Sequence, residues 1–458
     1  MKADLDFTAF YKATNPSKTL NLVDQSDRQF YIDFSRVRGQ EIIEQLKAQI
    51  TLFSPDEPTC QLFTGHIGCG KSTELSNLRA DLIQAGCHVV YFESDQDLEM
   101  NDVDVADILL AIARQVDESL RASQICLQPS RLQELLQGAA KLLNSEVRGV
   151  NVGTPGIPGV LPQGKIGVKE NQGQFSLSLG IGEITTQAKQ SPELRSLLRD
   201  YLEPRTKLVI DAINQELIEP AILKLKQQGY QGLVVIVDNL DRLELSSKSW
   251  GRPQPEYLFV DRGEQLRQLN CHVVYTMPLV LRFSSDIVRL TSRFGTEPLV
   301  LPMVPVQHRD GNPCLEGMAL LKQMVLVRAF PHLTPEARLQ RLPEIVEFPE
   351  ILHRLCQVSG GHVRELLGLV RDWIMFERKL PLSSKGLEQV IRDRANKMAL
   401  PITDQHWELL KRVHRTQSLS GFEEYRILLR SLFVYEYYDD RGSWFAVNPI
   451  LLETGRLS

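Results

Sequence analysis

Long hydrophobic runs are missing from these 458 residues. Stretches such as 233–237 fall far short of the roughly 18 apolar positions that cross a bilayer, and the opening Met1-Lys2-Ala3-Asp4 has no signal-peptide core. The expectation is a cytoplasmic protein without membrane attachment. Paired cysteines are missing too. Cys60, Cys69, Cys87, Cys126, Cys271, Cys314 and Cys356 are scattered, odd in number and without a CxxC spacing, which excludes a disulfide framework or a zinc site and leaves them to be read as buried thiols. Neither sign of charge dominates: Lys plus Arg is 52 and Asp plus Glu is 57, a formal net charge of -5. Contact with nucleic acid would therefore need a local basic patch. No repeat recurs at a fixed period, so a solenoid is not indicated.

What remains is ordinary globular chemistry. Hydrophobic residues make up 43% and charged residues 24%, which suits several packed domains and argues against disorder. Residues 1–35 hold Phe7, Phe10, Tyr11, Phe30, Tyr31 and Phe34 and read as an N-terminal arm packed on the domain that follows. Short apolar runs at 60–64, 88–92, 233–237, 272–276 and 299–303 alternate with helical periodicity at 105–120, 131–143 and 192–228. That alternation predicts a parallel sheet with helices on both faces, in a domain covering 36–306. Within it, residues 148–182 carry nine glycines and three prolines. With the alternating Gln174-Phe175-Ser176-Leu177-Ser178-Leu179, this stretch reads as an insertion of loop and β-hairpin. From 307 to 400 the pattern is almost wholly helical, which predicts a helical lid. Residues 401–458 give two helices, then two aromatic strands across Asp439-Asp440-Arg441-Gly442, which suggests a winged helix.

The strongest chemical signal is Gly65-His66-Ile67-Gly68-Cys69-Gly70-Lys71-Ser72, a GxxxxGK[ST] run placed between a predicted strand and a predicted helix. A backbone that wraps phosphates at contact distance needs residues without a β-carbon in the way. Residues 65–72 with Thr73 would line the nucleotide, with Lys71 bridging the β- and γ-phosphates and Ser72 on Mg²⁺. The helix that follows would turn its positive end to the same phosphates. The bland alternative is an empty glycine turn. A second signal is the apolar strand 233–237 ending in Asp238, a carboxylate delivered at the sheet edge where ligands of such folds bind. Asp238 is expected in the magnesium shell, or else as a simple strand cap. The next residue is Asn239, where an acid that polarises water often stands, so hydrolysis should be slow; Asp241, or Glu244, is the alternative for orienting water. Thr276 ends another strand and would either touch the γ-phosphate or cap its strand. Arg293, with Arg289 in reserve, would reach the nucleotide of a neighbouring subunit or else sit solvated on the surface. Arg364 opens a helix after Gly360-Gly361, a place where a cation asks for an anion to face: an ATP phosphate, or else Glu365 or another nearby acid.

In these motifs the chain resembles the additional-strand P-loop ATPases, in particular AAA+ proteins of the replication-initiator type and the related STAND switch ATPases. The resemblance spans about residues 36–400, with a winged helix appended. It implies that 65–72 is the Walker A loop, Leu233-Val234-Val235-Ile236-Val237-Asp238 the Walker B strand, Thr276 sensor 1, Ser292-Arg293-Phe294 the arginine-finger region and Arg364 sensor 2. The phrase Val237-Asp238-Asn239-Leu240-Asp241-Arg242 is also similar to KAP-type P-loop ATPases. The implied function is a Mg²⁺-dependent ATPase that exchanges ATP for ADP as a switch, forms a homo-oligomer in the ATP state and controls a protein partner. The alternative is a DNA-binding ATPase acting through its winged helix, whose basic residues (Lys411, Arg412, Arg415, Arg426, Arg430, Arg441) are nearly balanced by acids. A guanine-reading NKxD is missing at Asn396-Lys397-Met398-Ala399, which sets a GTPase aside.

Overall fold

The computed structural model describes residues 5–150, 177–189, 191–244, 246–248, 251–419 and 421–457. Five strands form one parallel sheet: β1 (Cys60–Gly65), β2 (His88–Glu93), β3 (Leu233–Asp238), β4 (His272–Thr276) and β5 (Leu299–Leu301), in the order β2-β3-β4-β1-β5. β4 is inserted between β1, which leads into the glycine loop, and β3, which ends in Asp238. This is the expected α/β architecture with an additional strand.

The sheet is buried on both faces because its strands are apolar at successive positions. Along β3, Leu233, Val235 and Val237 enter one core with the helices Val105–Ala122 and Thr206–Ile213. Val234 and Ile236 point the other way, to Leu75, Leu78 and Leu82 of the helix Lys71–Gln84. At about 25 cal/mol per Å² of apolar surface removed from water, such two-sided burial fixes the register, since a slip of one residue would exchange the two faces. The paired registers Val90 with Val235 and Val235 with Val273 follow from it.

A third core joins the helices Leu315–Ala329, Pro349–Val358, Val363–Glu377 and Ser384–Ala399. Phe10 and Phe34 lie in this core, so the arm anchors its aromatic rings on the helical region at 307–400 rather than on the domain next to it in sequence. The arm also reaches the sheet domain through polar bonds, Leu22 N to Ser76 Oγ and Tyr31 OH to Glu74. At the C-terminal end the helices Asp404–Thr416 and Arg426–Arg430 precede an antiparallel ribbon, β6 (Val434–Asp439) and β7 (Gly442–Val447).

The insertion departs from expectation. Leu177–Ala188 is a helix, not part of a hairpin: Leu177, Ile181, Ile184 and Ala188 are buried at helical spacing while Leu179 is 58% exposed. The helix before it runs Ser130–Val150, and the rest of the supposed hairpin lies outside the described residues. Five cysteines are buried, but Cys126 is exposed and Cys60 half-buried. No helix among the described residues is long and apolar enough to cross a membrane.

Candidate functional site

The glycine loop leaves β1 and turns into the helix Lys71–Gln84 at the C-terminal edge of the sheet. Gly68 has φ +84, and a Cβ there would lie 2.9 Å from both Arg364 Cβ and His362 Cε1. Only glycine allows both the left-handed backbone and the close approach of the helix Val363–Glu377. That helix meets the loop in two bonds: Arg364 N donates to Gly68 O at 3.2 Å, and His362 Nε2 donates to Ile67 O at 2.8 Å. His362 can donate there because its other ring nitrogen, Nδ1, accepts from Glu365 N and caps the helix. Its neighbour in the loop, His66, accepts at Nε2 from Glu436 N of β6. Burial drives both imidazoles toward the neutral form, His66 down to about 3 and His362 down to about 4.

Lys71 Nζ donates to the carbonyls of Gly65 and His66 and lies 2.8 Å from Asp241 Oδ2. Burial alone would push this ammonium toward its neutral form, but the Asp241 carboxylate outweighs it and the pKa rises. Lys71 is thus held charged at the mouth of the loop. Asp238, fully buried at the end of β3, accepts from Asn239 N, from Tyr91 OH at 2.8 Å and from the Ser72 hydroxyl. Its pKa is raised first by burial and then by the Asp241 charge. A carboxylate hydrogen-bonded to a hydroxyl, with a second carboxylate close by, is an oxygen set that suits Mg²⁺, which takes one or two carboxylates and completes its shell with phosphate and water. Among the described residues there is no cluster of three His, Cys, Asp or Glu that would hold a metal alone, so such an ion would depend on the ligand's phosphates.

Asn239 explains its own departure from the expected acid. Its φ of +65 is left-handed, a conformation asparagine tolerates better than most residues, and its Nδ2 donates to Asp95 Oδ1 at 2.9 Å. An acid there would face Asp95. Arg242 bonds the same carboxylate at 2.8 Å.

Lys71, Ser72, Asn239, Asp241 and Arg242 line one cleft that opens to solvent, and Asp238 reaches it only through the Ser72 hydroxyl. Its walls are the glycine loop and first turn of the helix (Ile67, Gly68, Gly70, Lys71, Ser72 and Thr73), then Asn239, Asp241 and Arg242, then Arg364, and finally segments of the N-terminal arm. Gly65 and His66 lie just behind, and Cys69 is buried beneath the loop with Sγ toward Leu301 O. Three further side chains had no motif to mark them. Arg38 is 2% exposed, donates through Nη2 to Cys69 O at 2.9 Å and leaves Nε and Nη1 unpaired. Glu74 is bonded by Tyr31, and Arg328 enters from the helix Leu315–Ala329. The arginines come from segments remote in sequence, and only tertiary packing makes them neighbours.

The guanidinium of Arg364 has no hydrogen-bond or ion-pair partner among the described residues, and burial, then the charge of Arg242, lowers its pKa. The acid expected as an alternative partner goes elsewhere: Glu365 pairs with Arg394. Thr276 is not brought to the cleft. It is fully buried, and its Oγ1 accepts from Leu240 N at 2.9 Å and lies 3.4 Å from Val237 O, so the geometry supports its strand-end alternative. Arg293 is also remote from this cleft: its Nη1 donates to Asp261 O at 2.8 Å, while Arg289 pairs with Asp286. Glu244 is bonded to Arg430.

No family model and no curated protein matches the sequence. The structure is similar along nearly all its length to the Aeropyrum pernix ORC2 protein in its ADPNP-ADP complexes, with a TM-score of 0.40, 15% identity and 96% of each chain covered. It is similar to the Aeropyrum pernix ORC1 protein in complex with DNA at a TM-score of 0.36 and 12% identity, covering 97% of this chain and 95% of that one. For Cdc6p from Pyrobaculum aerophilum the TM-score is 0.34 and the identity 11%, over 99% and 97% of the two chains. Scores of this size leave the chemistry to be read from the chain's own side chains.

Proposed function

We propose that the protein is an AAA+-like P-loop ATPase that binds ATP with Mg²⁺, hydrolyses it slowly and switches its lid and C-terminal unit between nucleotide states. One observation carries this reading. A glycine loop at a helix N-terminus, a charged lysine and a free arginine converge on one cleft, beside a carboxylate that already bonds the Ser72 hydroxyl. Such a surplus of donors is built for polyphosphate.

In that complex Lys71 exchanges Asp241 for the β- and γ-phosphates, and Arg364 takes the terminal phosphate it now lacks. Bound Mg²⁺, held through Ser72 and Asp238, would offset the phosphate charge and polarise the γ-phosphoryl group. Asp241, once released, is the carboxylate left to orient water. Slow turnover follows from the amide at Asn239 and from Asp241 having to give up Lys71 first.

The switch reading rests on where the loop's own bonds go. Ile67 and Gly68 hold the lid through His362 and Arg364, and His66 holds β6. A phosphate that shifts this loop acts on both units at once, as order-disorder switches do. Assembly in the ATP state would bring Arg293 of one copy to the cleft of the next, after it leaves the Asp261 carbonyl. A protein partner fits this better than DNA.

The DNA reading keeps one support, the exposed Lys411, Arg412 and Arg415 on the helix Asp404–Thr416. Against it, Arg426 pairs with Glu256 and Arg430 with Glu244, so the short helix before the ribbon is tied to the sheet domain. Mass in solution should be measured without nucleotide, with ADP and with a non-hydrolysable ATP analogue, each with and without duplex DNA. Analogue-dependent assembly without DNA is the expected result. Salt-sensitive retention on DNA with no analogue effect would favour the alternative.

A further inference from the structure

The lining of the cleft is mixed. Beside the glycine loop, Arg364 and Asp241 it includes Phe34, Met324 and Leu367, which belong to the apolar core of the helical region, and Ile32, which packs against that core. Leu367 is one helical turn, roughly 5 Å, beyond Val363, whose side chain stands over Gly70. Arg328 is one turn beyond Met324 on the helix Leu315–Ala329 and lines the same cleft.

Its position is unusual for a guanidinium. Arg328 is only 8% exposed; Nη1 donates to Met324 O of its own helix at 2.6 Å, and Nε has no partner. Among the described residues no carboxylate pairs with it, and burial pushes its pKa down to about 10. Buried arginines are normally paired with acids, because an uncompensated charge away from water is costly. Here the Met324 carbonyl is the one partner of the guanidinium among the described residues, and its placement on the cleft wall leaves donors for a ligand acceptor.

We infer that Arg328 selects the non-phosphate end of the nucleotide, donating from its guanidinium to a ring nitrogen of the purine base. This rests on the nucleotide reading above and adds to it a residue for the base. The chemistry favours the base over the phosphates. Arg38, Lys71 and Arg364 lie against the glycine loop, whereas Arg328 bonds the carbonyl of Met324, which shares the apolar core of the helical region with Phe34 and Leu367, a surface that suits a flat heterocycle. Arginine can only donate, so it reads acceptor atoms, and ring nitrogens are the acceptors every purine carries.

The test compares three probes, ATP, ribose 5-triphosphate and inorganic tripolyphosphate, on the full chain and on Arg328→Met, reading affinity by calorimetry and Tm without ligand. The inference predicts that Arg328→Met binds ATP at least tenfold more weakly, keeps its affinity for both base-free probes and melts no lower than the parent when empty. Equal loss for ATP and tripolyphosphate would place Arg328 at the phosphates and overturn it, as would unchanged ATP affinity. A Tm that falls in the empty variant while ATP affinity holds would assign Arg328 to packing alone. Should the methionine variant not fold, Arg328→Lys keeps the charge without the planar fork. It should lose ATP affinity but not tripolyphosphate affinity, and parental ATP binding in it overturns the inference. Failure of the parent to bind both ATP and tripolyphosphate would remove the nucleotide reading itself, a result distinct from any difference between variants.

Discussion

Asp241 holds the ammonium of Lys71, and in the proposed complex a phosphate takes its place. Their side chains are 5% and 6% exposed and 2.8 Å apart, so the pair is a charge-assisted bond inside the protein rather than a screened surface contact. Asp241→Asn should therefore lower the Tm of the empty protein, since breaking a buried pair leaves an uncompensated charge worth about 3–5 kcal/mol. The same change should tighten ATP binding roughly tenfold, because the phosphates no longer compete with a carboxylate. Melting curves and calorimetry read both effects, and weaker ATP binding in this variant would contradict the competition. The two buried histidines give a pH signature. Each accepts a hydrogen bond through an unprotonated nitrogen, His66 from Glu436 N and His362 from Glu365 N. Burial pushes their pKa values down to about 3 and about 4 in the folded chain, against about 6.5 for a free imidazole. The folded state therefore binds fewer protons than the unfolded state. Stability from these rings is intact above about pH 6.5 and is lost as pH falls toward 4 and below, by about 2 kcal/mol per ring at pH 5. His362→Asn keeps a cap acceptor without a titrating group, so its Tm should fall less between pH 7 and pH 5 than the parent's. Parallel curves would contradict this. At this scale the sequence announced Lys71, Ser72 and Asp238 because local strand-loop-helix context defines them. Arg38, Arg328 and the Lys71–Asp241 bond were not legible, since no spacing along the chain records which distant helices share a wall.

Elements were easier to read where burial was two-sided. The run that became β3 is apolar at five successive positions before Asp238, and β1 and β4 are buried at nearly every position although Gln61, Thr64, His272 and Thr276 are polar, a pattern that suits a sheet covered on both faces. The piece at 174–179 misled because six residues of alternation cannot distinguish a period of 2 from 3.6; only the burial of Ile181, Ile184 and Ala188 further along decides for a helix. Connections between elements carry their own predictions. Gly361, with φ +73, lies where a Cβ would stand 1.6 Å from Val304 O, so the turn into the helix Val363–Glu377 cannot accept a side chain without moving backbone. Gly361→Ala should destabilise the chain by more than about 3 kcal/mol, seen as a large drop in urea midpoint. A variant with parental stability would show that the lid is not seated against residue 304 in solution.

For the whole molecule, the C-terminal ribbon is not a free appendage. Glu436 bonds the glycine loop through its amide and residue 303 through its carbonyl, Tyr437 OH donates to Gly360 O, and Arg309 holds Asp439 through two nitrogens. Tyr435 stacks on His362 at 5.5 Å between ring centroids. The sheet, the helices at 307–400 and the ribbon thus meet behind one loop, the contact that the proposed switch would use. Arg309→Ala should loosen the ribbon, so that amides of 434–447 exchange hydrogen faster while those of β3 keep their protection. Uniform change across both would mean global destabilisation instead. The helical and ribbon segments were legible from periodicity; their docking on the glycine loop was not, because it is made by main-chain groups and by His66 and His362, the first at a position the loop motif leaves open to any residue. The claim on which everything else depends is that the cleft grips a nucleotide through Lys71. Calorimetric titration of ATP with Mg²⁺ into the full chain and into Lys71→Ala tests it directly. The account predicts one site in the parent, weakened when Mg²⁺ is withheld and lost in the variant. Equal binding to both proteins, or none to the parent, would contradict it.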